Sequence, residues 1–169
     1  MATTEMLLAE FEQEARTTRK FLERLPADKL DWKPHVKSMS AGQLALHIAG
    51  TPGQVVRMAE ADEIPAPDFG RPNPQPTSLQ EVLGALDQSI ATVRQVLPTF
   101  TDERLQAMWR VKKDGKELLS MPRVAVLRSI MLNHWYHHRG QFGVYLRLLG
   151  AKVPSSYGPS GDELPDFMR

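Results

Sequence analysis

Residues 122–150 read PRVAVLRSIMLNHWYHHRGQFGVYLRLLG, and their periodicity decides the fold. Leu127, Met131, His134, His138, Gln141, Tyr145 and Leu148 recur three and four apart, which is one face of an α-helix. Pro122 suits a first turn, where a missing N–H costs least. Gly150 supplies the C-terminal stop. The segment therefore reads as one long helix from Pro122 to about Leu149.

Two histidines lie on that inward face. His134 and His138 are four apart, with roughly 6 Å of rise between them. They stand where a helical bundle places leucine. Burying two imidazoles is costly unless each nitrogen has a partner, and a metal ion supplies one. The same spacing joins two imidazoles to one ion in HExxH sites, although no Glu follows His134 here. His137 falls on a different line, with Ile130 and Val144. It belongs beside the site, in an interface or in solvent. Trp135, Tyr136, Phe142 and Tyr145 read as packing, and Arg139 as a surface charge.

Three more helices are legible upstream. Leu7, Leu8, Phe11, Ala15, Phe21, Leu22 and Leu25 give the first an apolar face between about Thr4 and Leu25, and Pro26 ends it. The connection PADKLDWKPHVKSM brings Trp32 back onto the other helices. The second helix starts at Ser40, which has capping-box spacing with Gln43. Leu44, His47, Ile48, Val55 and Met58 form its inward face, and Gly50-Thr51-Pro52-Gly53 predicts a kink or break. Residues 62–77 carry Pro65, Pro67, Pro72, Pro74 and Pro76 and read as a stiff extended crossing. The third helix follows Thr77 or Ser78 and reaches about Leu97. Trp109 and Val111 then alternate with Arg110 and Lys112, and Asp114-Gly115 is a preferred hairpin turn. The tail AKVPSSYGPSGDELPDFMR is irregular. The expected fold is all-α: an antiparallel four-helix bundle with a long connection and a short β-hairpin before the last helix.

Composition bounds the function. The 169 residues fit a single domain, 1–169, able to bury a core without staples. Basic and acidic side chains nearly balance, 21 against 20, which argues against an electrostatic nucleic-acid binder. There is no cysteine, so disulfides, thiolate metal sites and a cysteine nucleophile are excluded. No secretory leader and no membrane-length apolar run is visible, so a soluble cytoplasmic protein is expected.

His47, between Leu44 and Ile48, would complete a site of three imidazoles with His134 and His138. Such a site leaves positions open for water or substrate. Imidazole donors suit zinc, nickel, copper and iron. A lone inward histidine is more often a core residue bonded to a backbone carbonyl, and an HxxxH pair also arises by composition. From the residues alone, both readings stand.

The stretches DWKPHVKSMSAGQLALHIAG (31–50), NHWYHHRGQFGVYLRLLGAKVP (133–154) and YGPSGDE (157–163) resemble the DinB superfamily, the DinB/YfiT-like metal-dependent hydrolases. The resemblance implies a four-helix bundle with a long connection, often a homodimer. It implies a divalent ion, nickel or zinc, on His47, His134 and His138. It also implies either hydrolysis or transfer of a low-molecular-weight thiol to a small-molecule substrate. The Gly-Thr-Pro-Gly run just after His47 departs from the pattern. The alternative functions are a non-catalytic metal-binding or stress-response dimer, and an interaction module docking through residues 62–77. Asp162 and Glu163 would serve as a base only if the tail, Tyr157 to Glu163, folds over the site.

Overall fold

The computed structural model describes residues 3–68 and 70–168. Phe69, within the proline-rich crossing, lies outside them. Helix α1 spans Thr3–Leu22, α2 Ala41–Met58 and α3 Leu79–Val96. Ser40 and Gln43 form the expected reciprocal capping box on α2, and Ser78 Oγ accepts from Glu81 N to cap α3. Both caps satisfy N–H groups that the first helical turn leaves orphaned. A short α4, Asp102–Gln106, begins at Thr101, whose hydroxyl accepts from Arg104 N. No helix among the described residues is long and apolar enough to cross a membrane.

The expectation of an all-α four-helix bundle is overturned. The fold is mostly helical but carries a three-stranded mixed sheet in the order β1-β2-β3. Strands β2 (Met108–Lys113) and β3 (Lys116–Pro122) form the anticipated antiparallel hairpin. Its turn residues, Asp114 and Gly115, have φ of 50° and 77°, the paired left-handed geometry that suits Asp-Gly. The unanticipated element is β1, Glu63–Pro65. It pairs parallel to β2, with Glu63 opposite Arg110 and Pro65 opposite Lys112. Proline is tolerated there because β1 is an edge strand.

The sheet is fastened to the end of α2. Trp109 is buried, and its indole N–H donates to Met58 O at 3.1 Å. Arg123, at the first position of α5 (Arg123–Val126), is fully buried. It donates to Ala59 O at 2.8 Å and Ala61 O at 2.9 Å, just past α2.

The last helical stretch is continuous but not uniform. After α5, residues Leu127–Asn133 form a π-helical segment, and α6 follows as His134–Leu148. His134 N–H donates to Ser129 O, five residues back, which marks the wider π turn. Helix α2 lies between α3 and α6, while α1 closes against both. The core runs through Phe11, Leu22, Leu44, Ile48, Leu86 and Val93 to Leu127, Met131, Trp135, Phe142 and Leu146. Phe11 stacks on Trp135, with ring centroids 5.3 Å apart.

The π segment corrects the sequence stripe. A uniform α-helix carries the buried line from Leu127 and Met131 to His134 and His138. In the structure it passes instead through Leu132, Trp135, Arg139, Phe142 and Leu146. The extra residue accommodated in the π turn advances the buried line by one. His134 and His138 are thereby moved from the middle of the core to its half-buried edge.

Candidate metal centre

The site begins with a proline problem on α2. Pro52 has no N–H, so the carbonyl of Ile48, one turn back, loses its helical donor. The helix nevertheless runs unbroken from Ala41 to Met58, so of the expected kink or break the break does not occur. Trp135 explains it. Its indole N–H, reaching across from α6, donates to Ile48 O at 2.8 Å. Two neighbouring contacts reinforce the same turn. Thr51 Oγ1 donates to His47 O at 2.6 Å, and Gly53 N–H donates to Ser89 Oγ on α3 at 2.7 Å. A side chain at Gly53 would meet Ser89 Cα at 2.9 Å, so glycine permits this close approach. The proline thus frees an acceptor that ties α2 to α6 between His47 and His134.

This tie is testable. Trp135→Phe keeps the ring but leaves Ile48 O buried without a donor, and should cost about 1–3 kcal/mol. Part of the loss should disappear in a Pro52→Ala background, where residue 52 regains its N–H. A double-mutant cycle by urea denaturation measures the coupling. Additive effects would mean that Trp135 does not compensate for the proline.

With α2 and α6 held together, the three predicted histidines converge. The candidate ligand atoms of His47, His134 and His138 lie within 4.8 Å of one another. His134 Nε2 and His138 Nε2 are 2.9 Å apart. The rings stand nearly perpendicular: His47 to His134 at 85°, His47 to His138 at 89° and His134 to His138 at 84°. No Asp or Glu among the described residues belongs to the cluster.

The electrostatics suit a cation ligand set. Burial lowers the pKa of His47 to about 4, helped by the neighbouring His138 and His134. Burial also lowers His134, with smaller contributions from His138 and His137. For His138, burial again dominates, opposed by the hydrogen bond to Gln141. Near neutral pH the three imidazoles are therefore uncharged, and uncharged imidazole is the form that binds metal. His134 Nδ1 is buried with no hydrogen-bond partner. An all-imidazole donor set fits a borderline-soft divalent ion.

Other predicted residues go elsewhere. His137 is exposed, with its ring 4.9 Å from that of His138. Asp162 pairs with Arg147 at 2.7 Å and accepts from Val153 N, and Glu163 pairs with Arg24 at 2.6 Å. Neither belongs to the histidine cluster. Arg139 is not a surface charge. It is 3% exposed and paired with Glu14, itself 5% exposed. The tail's Tyr157 ring covers its guanidinium at 5.2 Å. The signal was present in α1, where Glu14 and Thr18 interrupt an otherwise apolar face. Gln141, on the same helical stripe as the histidines, has its Oε1 2.9 Å from His138 Nδ1, a contact the stripe spacing alone does not reveal.

Known proteins resemble this chain over almost its whole length. The DinB family model matches residues 1–165. The uncharacterized protein YrdA of Bacillus subtilis (strain 168) is 30% identical over 167 residues, covering 98% of this chain and 94% of YrdA. A DinB-like protein from Bacillus cereus ATCC 10987 matches with a TM-score of 0.69 at 25% identity, covering 90% of this chain and 97% of that one. The DinB-like protein YjoA from Bacillus subtilis shares the fold, with a TM-score of 0.64 at 22% identity over 90% and 96% of the two chains. The chain belongs to the DinB family.

Proposed function

We propose that His47, His134 and His138 hold one divalent ion, nickel or zinc, and that the protein transfers a low-molecular-weight thiol to a small-molecule electrophile. The observation that carries this reading is the donor set itself: three neutral imidazoles at a half-buried edge, with no carboxylate among them. A bound ion supplies Lewis acidity, lowering the pKa of a thiol or of water. A free thiol starts near 8.5 and needs little help to ionise, so it can react without a protein base. The chain has no cysteine, so the thiol comes from a cosubstrate.

Hydrolysis is the second reading, favoured by the openness of a three-histidine site to water. It makes a heavier demand on the chain, because water must give up a proton to some acceptor. The tail carboxylates Asp162 and Glu163 are engaged by Arg147 and Arg24.

Elemental mass spectrometry of the purified chain tests the metal. We expect about one divalent ion per chain, lost in both His47→Ala and His134→Ala. Added zinc or nickel at 100 times its Kd should raise the unfolding free energy of wild type by about 2.7 kcal/mol. No bound ion, and no uptake by the folded protein, would refute the site. Loaded protein that consumes an electrophile only with added thiol supports transfer, whereas turnover without thiol supports hydrolysis.

A further inference from the structure

Gln141 follows His138 by three residues, so the two side chains are neighbours on α6. Gln141 Oε1 lies 2.9 Å from His138 Nδ1. A neutral imidazole carries one proton, on one of its two nitrogens, and a carbonyl oxygen can only accept. The shared hydrogen is therefore on Nδ1. His138 Nε2 is left with its lone pair, aimed where His134 Nε2 approaches to 2.9 Å.

We infer that Gln141 is a positioning residue: its carbonyl holds the proton on His138 Nδ1 and presents the Nε2 lone pair to the cluster. His138 is then preset as a ligand, in contrast to His134. The inference rests on the metal reading above. His134 differs. In the metal-free cluster its Nε2–H is the donor to His138 Nε2, and its own Nδ1 is buried without a partner. For Nε2 to bind an ion, that proton must shift to the unpartnered Nδ1 of the same ring, whereas His138 Nε2 carries none. Outer partners of this kind orient ligating histidines and tune metal affinity.

The test uses the full metal-free chain with two variants. Gln141→Glu keeps an acceptor opposite Nδ1, and Gln141→Leu removes it. Nitrogen-15 NMR of the imidazoles reads the tautomer without any metal, and zinc titration reads affinity. We expect His138 as the Nδ1–H tautomer in wild type and Gln141→Glu, and a mixture in Gln141→Leu. Zinc affinity should fall about 10–100-fold in Gln141→Leu and be retained in Gln141→Glu. Gln141 is only part-buried, so both variants should fold, and circular dichroism verifies it.

An Nε2–H tautomer of His138 in wild type overturns the inference. So does a Gln141→Leu variant with wild-type tautomer and affinity, or a Gln141→Glu variant as weak as Gln141→Leu. If wild type shows the Nδ1–H tautomer but takes up no zinc, the metal reading fails while the proton assignment stands.

Discussion

Arg139→Met should lower the unfolding free energy by about 3–5 kcal/mol, because it leaves a buried carboxylate without its counter-charge. Arg139 and Glu14 are both almost fully buried and pair across α6 and α1. The guanidinium also donates to Thr18 Oγ1 at 3.3 Å and lies 5.4 Å from the Tyr136 ring centroid. Removing it strands Glu14 in the core and uncouples Tyr157 of the tail. The informative partner is the double variant Arg139→Met/Glu14→Leu. Apolar replacement of a whole buried pair is often neutral or better, so most of the loss should be recovered. Urea denaturation of the three proteins gives the result. A single variant within about 1 kcal/mol of wild type would show that the pair contributes little beyond an exposed salt bridge. Arg139 directly follows His138, so metal uptake measured on the same samples tells whether the pair also holds α6 in register for the site.

A smaller loss, about 2–3 kcal/mol, is expected for Arg123→Met, by a different mechanism. Here the partners are mainly backbone carbonyls. Ala59 O and Ala61 O accept at 2.8 and 2.9 Å, and Ala107 O more loosely at 3.4 Å. These atoms come from the end of α2 and the approach to β2. One side chain therefore joins the helical part to the sheet. Stranding the buried Ala59 acceptor costs about 1–3 kcal/mol, and the half-buried bonds to Ala61 and Ala107, which water can replace, add less. Arg123 also pairs with Asp62, but Asp62 is 77% exposed. Asp62→Asn should accordingly cost less than about 1 kcal/mol. Arg123→Lys should not rescue the loss, because an ammonium cannot span acceptors that a planar guanidinium reaches together. If Asp62→Asn proves as damaging as Arg123→Met, the ion pair and not the carbonyl set is the stabilising element.

Both arginines escape a reading based on residue type alone. A charged residue next to HxxxH or after a strand is ordinarily solvated, and only its three-dimensional partners make it otherwise. Gln141 escapes for a related reason. Its spacing from His138 is visible in the chain, but the direction of its carboxamide is settled by the geometry of the pair.

The features legible in the sequence depend on chemistry within a few residues. The Ser40–Gln43 capping box, the Ser78 start of α3, the Asp114-Gly115 hairpin turn and the convergent pair His134 and His138 all belong here. Each is set by residues one to four apart, so local spacing suffices to specify it. The tertiary structure alone decided the rest. It pairs β1 with β2 in parallel, inserts the π segment that moves the histidines to the core's edge, and buries Arg139 against Glu14. It also gives the carbonyl orphaned by Pro52 to Trp135. Apart from the π turn, these are partnerships between groups distant in sequence. A buried polar group must find a partner, but its own neighbourhood in the chain does not say which one.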